Sequence, residues 1–395
     1  MASDRGSVDG NAAIAGAHDP LGGRLASLDM FRGLAIAGMV LVNNPGSWQH
    51  VYPPLLHAEW HGFTPTDLVF PAFLFAVGAA IPYTLAGYAG EEGGGRARLY
   101  ARILRRVVLL FALGLLLNLT TPFLQWLLYD RPVDWGGLRI MGVLQRIALA
   151  YLLAMILMLA VGRGLRIAIA LGVLLGYWVL MVRVPVPGVG AGVLTPEGSL
   201  ATVVDRAILG QSHLYQGKFD PEGLLGTLTA AVTVLIGCAA GAWVRLSDRS
   251  SRVTLSLAAA GVSGIALGWL WDLFFPINKQ LWTSSYVVYS AGWSLVLMAG
   301  CYEIADIRRW RWLAWPLQVL GVNAIVLFVA SGIAARILLV SRVPDGRSVH
   351  QWLYDTLFVP WAGALNGSLA FALVTVAVWW GVLYCFCRRG WFLRL

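Results

Sequence analysis

The sequence predicts an all-α, polytopic membrane protein: one helical bundle of about ten transmembrane helices, with the N- and C-termini on the cytoplasmic side. Three observations predict it. Hydrophobic residues make up 58% of the chain and charged residues 12%, with a mean hydropathy of +0.70. Long apolar runs recur along the whole length, and arginines cluster in alternate gaps between them. Soluble domains carry about 25% charged residues, so the solvent expected for this chain is a lipid bilayer.

A hydrocarbon core about 30 Å thick takes roughly 20 apolar residues per helical crossing. Runs of that kind lie near 28 to 44, 67 to 88, 103 to 121, 143 to 161, 165 to 182, 224 to 244, 254 to 275, 285 to 304, 314 to 339 and 368 to 387. Only Val161-Gly162-Arg163-Gly164 separates the fourth run from the fifth, which makes a tight turn at one surface. Residues 28 to 395 therefore read as a single transmembrane domain with two long outer loops, 183 to 223 and 340 to 367. Residues 1 to 27 are rich in Gly, Ala and Asp and lack the apolar core and small-residue cleavage site of a secretory signal. They read as a flexible cytoplasmic tail.

Orientation follows from the arginines. With the N-terminus inside, Arg5, Arg24, Arg96, Arg98, Arg102, Arg105, Arg106, Arg163, Arg166, Arg245, Arg249, Arg252, Arg308, Arg309, Arg311, Arg388, Arg389 and Arg394 all fall on the cytoplasmic side, as the positive-inside rule requires. The stretch from Asn44 to Asp67 has no Lys or Arg. The net charge of +9 thus marks topology and not nucleic-acid binding, and the expected location is a bacterial inner (plasma) membrane. Cys238, Cys301, Cys385 and Cys387 are dispersed over predicted helices, which is neither a disulfide framework nor a metal-ligand spacing. No metal is expected.

The most informative stretch is SLDMFRGLAIAGMVLVNNPGSWQHVYPPLLHAEWHGFTPTDLVFPAFLFAVGAAIP. Asp29 and Arg32 stand three apart on one helical face, where they can pair, and read first as an interfacial ion pair that fixes helix depth. Asn43 and Asn44 end the first helix before Pro45-Gly46. One amide suffices as a cap, and a second can donate to a developing oxyanion.

His57, Glu59, Trp60 and His61 follow, then Asp67. An imidazole with its ordinary pKa of about 6.5 accepts a proton near neutral pH, and a nearby carboxylate can hold its tautomer. A His57/His61 pair at i, i+4 is also a metal-ligand spacing if the segment is helical. Spacing alone leaves catalysis, metal ligation and interfacial hydrogen bonding open.

Other polar groups interrupt the apolar pattern: Gln145 and Arg146; Asp205, His213, Asp220 and Glu222; Asp272, Asn278 and Lys279; and Asn323. Asp220-Pro221-Glu222 has the look of a helix N-terminus, and Lys279 that of an interface residue. Taken together these groups are candidates to line one outward-facing polar cavity.

The segments SLDMFRGLAI, MVLVNNPG, HAEWHGFTPTDLVFPAFLFAVGAAIP, RIMGVLQRIALAY, DPEGLLGT and PINKQLWTSSY, in that order, resemble the heparan-alpha-glucosaminide N-acetyltransferase family, within the wider transmembrane acyltransferase group. The resemblance runs from about Leu25 to the C-terminus. It implies acetyl transfer from cytoplasmic acetyl-CoA to the amine of a terminal glucosamine across the membrane.

On that resemblance the active-site histidine is His57, with Asn43 beside it. His61 stands where the lysosomal enzyme has asparagine. The family's reaction implies acceptor contacts from Asn44, Glu59, Trp60, His61, Asp67, His213, Asp220, Glu222, Asn278 and Lys279, and a donor passage lined by Asp29, Arg32, Gln145, Arg146 and Asn323. The expected partners are the lipid bilayer, acetyl-CoA and an amino-sugar or glycan acceptor from a bacterial envelope, with no nucleic acid; a homodimer stays open. A sugar or amino-sugar transporter without chemistry is the rival expectation, since intramembrane polar groups suit it too.

Overall fold

The computed structural model describes residues 25–88 and 95–392; Arg5, Arg24, Arg394 and the predicted tail up to residue 24 lie outside the described residues. The chain is all-helical. Its α-helices are α1 (Ala26–Asn43), α2 (Pro65–Ala86), α3 (Gly95–Tyr129), α4 (Val143–Ala160), α5 (Arg163–Arg183), α6 (Leu200–Leu209), α7 (Leu224–Leu246), α8 (Ser251–Asp272), α9 (Ser284–Tyr302), α10 (Arg311–Val322), α11 (Ala324–Val340), α12 (Val349–Leu357) and α13 (Val359–Arg388). Among the described residues nine helices are each long and apolar enough to cross a membrane. The pair α10 and α11, bent by 68°, makes a tenth crossing when counted as one broken span. This is a multi-pass membrane protein.

Hydrogen bonds sort the connections into two ends. At one end Asn278 Nδ2 donates to Trp60 O, Trp60 Nε1 to Leu194 O, Tyr129 Oη to Val340 O, and Ser368 Oγ to Ser47 O. At the other, the Ser27 N–H donates to Asp306, Ser251 and Thr254 donate to Glu303, and Gln318 donates to Ala26 O. The first end carries the long loops and the second most of the arginines.

In lipid the helices gain little from the hydrophobic effect, so close contact through small residues holds them together. The α2/α7 seam shows this clearly. Gly78 of α2 sits on the carbonyl of Val234, while Gly237 and Gly241 of α7 sit on the carbonyls of Phe75 and Ala79. A Cβ at any of the three would strike backbone. Gly33 and Gly321 make the same kind of contact between α1 and α10, and Gly261, Gly268 and Gly292 between α8 and α9. The tight seams bring the first turns of α2 and α9 together at the loop-rich end, where the Tyr286 hydroxyl donates to Asp67 O at 2.8 Å.

Several elements differ from the apolar pattern. Helix α3 has 35 residues and runs through Pro122, about 52 Å at 1.5 Å per residue, which is longer than a hydrocarbon core of about 30 Å. The predicted run 314 to 339 breaks at Asn323, whose backbone leaves the helical region. Its amide donates instead to Trp391 O at 3.1 Å. The two long loops contain the amphipathic helices α6 and α12. Helix α13 begins nine residues before the expected 368 because a short helical stretch precedes the kink at Gly363, which has φ of 74°.

Candidate active site

The connection between α1 and α2 carries the densest set of polar contacts. Asn44 folds back so that its amide donates to Val40 O at 2.7 Å, capping the last turn of α1. Its neighbour Asn43 is exposed, and its side chain has no hydrogen-bond partner among the described residues. One asparagine closes the helix and the other is left available.

Asp67 lies in the first turn of α2, where the helix dipole favours an anion. Its side chain is only 2% exposed. One carboxylate oxygen, Oδ2, accepts the N–H groups of Ala58 at 3.1 Å and Thr64 at 3.0 Å, which pins the loop that carries His57. The other, Oδ1, lies 2.7 Å from His57 Nδ1. An ionised carboxylate can only accept, so Nδ1 carries the proton and Nε2 is left as the basic nitrogen. The His57 side chain is 48% exposed.

Lys279 approaches the same pair from the α8–α9 connection. Its Nζ is 3.6 Å from Asp67 Oδ1, 3.0 Å from His57 Nδ1 and 3.3 Å from Nε2. A point that close to both nitrogens within the ring plane would collide with Cε1. The ammonium therefore lies over the imidazole face, leaving the Nε2 lone pair unblocked. Burial lowers the Lys279 pKa from the ordinary lysine value, against the opposing pull of Asp67 and Glu222.

These groups open onto one chamber of about 580 Å³, lined by His57, Asn43, Asn44, Lys279, Glu222 and Arg336 together with Trp48 and Tyr215. Its apolar wall includes Met39, Phe70, Leu117 and Phe328. The volume lies within the range of small-molecule sites, and the lining has their usual character of apolar walls with a few convergent polar groups.

Glu222 is held by Arg139, which also donates to Asp220 at 3.0 and 2.7 Å. Burial alone would weaken the Arg139 charge, but its hydrogen bonds to Asp220 and the field of Glu222 raise its pKa above the ordinary arginine value.

The structure separates the predicted residues into groups. Of the expected acceptor contacts, Asn44, Glu222 and Lys279 line the chamber with His57 and Asn43. Asp67 stands behind His57. Asn278 is fully buried and serves the loops: its Nδ2 donates to Trp60 O at 2.8 Å and its Oδ1 accepts from the Leu281 N–H. His61 packs on Asn278 and Trp60, and burial holds its pKa below the ordinary imidazole value. His213 Nδ1 donates to Leu138 O, and Asp220 is bound by Arg139. Glu59 is exposed on the loop and does not line the chamber. Residues 56 to 63 form no helix, so the i, i+4 spacing of His57 and His61 does not put them on one face.

The residues expected along a donor passage do not line the chamber. Asp29 and Arg32 pair at 3.2 Å near the Arg-rich end, Asn323 ties to Trp391 there, and Gln145 donates to Ile140 O. Arg146 is buried, donates to Gly223 O and lies over the Trp282 ring at 4.9 Å. Arg139, which opens the segment RIMGVLQRIALAY, and Arg336 are not among the predicted site residues. The one signal for Arg336 is its standing as a lone arginine near the end of the apolar run AIVLFVASGIAARILLV.

Residues 24–136, which carry Asn43, His57 and Asp67, match a family model described as a domain of unknown function, DUF5009. The chain is 28% identical to heparan-alpha-glucosaminide N-acetyltransferase of Homo sapiens and 27% identical to that of Mus musculus. Each alignment takes in 91% of this chain and 60% of the relative, so the chain spans about three-fifths of the length of the curated relatives it matches. With the similarity extending over nine-tenths of its length, the chain is similar in sequence to the heparan-alpha-glucosaminide N-acetyltransferases.

Proposed function

We propose that this protein is a membrane acetyltransferase that moves an acetyl group from acetyl-CoA to the amine of a glucosamine-type sugar, using His57 as general base. The observation that carries the reading is the 2.7 Å contact between Asp67 and His57 Nδ1, which leaves Nε2 basic beside a chamber that also holds the unengaged amide of Asn43. The names of the human and mouse relatives support the reaction class.

In this reading the acceptor amine attacks the thioester carbonyl while His57 Nε2 takes a proton from the attacking nitrogen. The tetrahedral oxyanion is met by the Asn43 Nδ2–H. Collapse breaks the C–S bond, and the imidazolium returns its proton to the departing coenzyme A sulfur, leaving the amide product and free thiol. General-base help is worth about 10²- to 10⁴-fold, and one oxyanion donor about 3 to 4 kcal/mol. The competing route passes the acetyl group first to Nε2 and then to the amine, and it predicts ping-pong kinetics.

The Arg-rich end is proposed to face the cytoplasm and the chamber the opposite side of a bacterial inner membrane. The arginine bias supports this orientation. Coenzyme A is polyanionic, so its nucleotide end belongs with the arginine-rich end.

The test incubates the purified protein with acetyl-CoA and glucosamine and follows free coenzyme A thiol. Thiol release and N-acetylglucosamine formation are expected from the wild type, and neither from His57→Ala, which should stay monodisperse in detergent. Sugar uptake into proteoliposomes without thiol release would instead identify a transporter.

A further inference from the structure

Arg336 is a cation inside a membrane bundle that the proposed chemistry does not use. The face that α11 turns to the chamber is Phe328, Ser331, Gly332, Ala335, Arg336 and Leu339, a helical stripe in which small residues leave a recess below the arginine. The guanidinium lies in that recess. Its Nη1 donates to Gly332 O at 2.9 Å, and a Cβ at Gly332 would meet Nη1 at 3.2 Å and Leu117 at 3.3 Å.

The direction of that bond matters. A long cation near a helix end ordinarily extends toward the interface and keeps its charge in water. Here the side chain turns back along the helix, four residues toward the bilayer interior. Among the described residues the only polar partner it gains there is a carbonyl of its own helix. Among the described residues Arg336 has no ion pair.

The carboxylates at the chamber are engaged by other groups. Glu222 is engaged by Arg139, and Asp67 is shared by His57 and Lys279. Neither carboxylate therefore contacts Arg336, although the nearest acids and bases balance in number. A guanidinium without an ion pair, beside a wall that includes Leu117, Phe328 and Leu339, is costly to keep, and intramembrane charges of that kind mark ligand pathways.

We propose that Arg336 is the binding group for a fixed negative charge on the acceptor: a carboxylate, sulfate or phosphate carried on the amino sugar or its immediate neighbour. A planar guanidinium with its remaining N–H groups open to the chamber matches such an oxyanion in a two-pronged contact. The proposal rests on the chamber being the acceptor site. It narrows the substrate class from amino sugars in general to anionic ones, with Lys279 beside His57 and Arg336 on the α11 wall selecting the charge. Coenzyme A also carries phosphates, so the donor is the alternative source of the same chemistry.

The test is equilibrium binding to the full-length protein in nanodiscs, read by intrinsic tryptophan fluorescence because Trp48 lines the chamber. The probes are glucosamine, glucosamine 6-phosphate, muramic acid and acetyl-CoA. The wild type should bind at least one anionic sugar tenfold or more tighter than glucosamine, with the advantage shrinking as salt rises. Arg336→Gln should lose that advantage and leave glucosamine and acetyl-CoA binding unchanged, and Arg336→Lys should keep part of it. Unchanged glucosamine binding also shows that the variant is folded; should Arg336→Gln fail to fold, Arg336→Lys carries the comparison.

Equal wild-type affinity for all three sugars overturns the proposal. So does a loss in Arg336→Gln confined to acetyl-CoA, which would assign the charge to the donor. Anion preference in a protein that releases no coenzyme A with any acceptor would keep the anion site and remove the acetyltransferase reading.

Discussion

The Asp67 carboxylate joins two tasks, since Oδ1 contacts His57 Nδ1 at 2.7 Å while Oδ2 accepts the backbone N–H groups of Ala58 and Thr64. The same residue fixes the tautomer of the proposed base and the position of the loop that carries it. A carboxylate 2% exposed at a helix N-terminus is well suited to both, because its charge is matched by donors on every side.

Asp67→Asn should therefore lower kcat for acetyl transfer by about 10²- to 10⁴-fold. The amide can still meet the backbone donors, but it can present Nδ2–H to His57 and favour the wrong tautomer. Acceptor KM should change little. Steady-state kinetics with acetyl-CoA and glucosamine decide it, and a kcat within fivefold of wild type would mean that the tautomer is held by something else.

Arg139 holds Asp220, whose side chain is completely buried, and Glu222 at the chamber wall. Arg139→Ala strands both carboxylates, and removing one partner of a buried pair costs about 3 to 5 kcal/mol. The variant should unfold at clearly lower temperature in detergent and lose order in the 210–223 segment. Unchanged thermal unfolding would show that water replaces the guanidinium at little cost.

Asp205 caps α7 by accepting the Leu224 N–H at 2.8 Å, and burial pushes its pKa up to about 6. A carboxyl group whose folded value exceeds its unfolded value of 3.8 binds more protons folded than unfolded between those two pH values. Its contribution is thus largest at low pH and is lost as pH rises toward 6, on the order of 3 kcal/mol in all. Asp205→Asn keeps an acceptor without the charge. Its stability relative to wild type should therefore rise between pH 4 and pH 7 by urea or thermal unfolding; a difference that stays flat across that range contradicts the assignment.

The α2/α7 seam predicts steric intolerance. Gly237→Leu forces a side chain into the carbonyl of Phe75, and overpacking of this kind costs about 1 to 3 kcal/mol or more. Gly381 of α13 has nothing within 4 Å of its Cβ direction. Gly237→Leu should lower the unfolding temperature and the monodisperse yield, while Gly381→Ala should leave both intact. Equal behaviour of the two variants would remove the seam as a determinant of packing.

Much of this protein is legible along the chain itself. Crossing number follows from the length of each apolar run, because one helix must satisfy its own backbone across a fixed thickness of hydrocarbon. The family resemblance points to His57 and Asn43 as candidates, and the spacing of Asp29 and Arg32 gives their ion pair. The break at Asn323 is not, since Val322 and Ala324 on either side are as apolar as any helix interior and the Trp391 carbonyl that receives its amide is 68 residues away.

The sequence by itself determined the solvent, the helices and the loop in which the candidate chemistry sits, because these depend on composition and on neighbours within a few residues. Tertiary structure alone decided which polar groups share a chamber. Asn278, His213 and Asp220 look like equals of Lys279 and Glu222 along the chain, yet they spend their hydrogen bonds on loops, whereas Arg336, inconspicuous in an apolar run, faces the cavity. The physical reason is that a polar side chain near a membrane must find a partner somewhere, and only the packed arrangement of distant helices shows whether protein already supplies that partner or a ligand is needed.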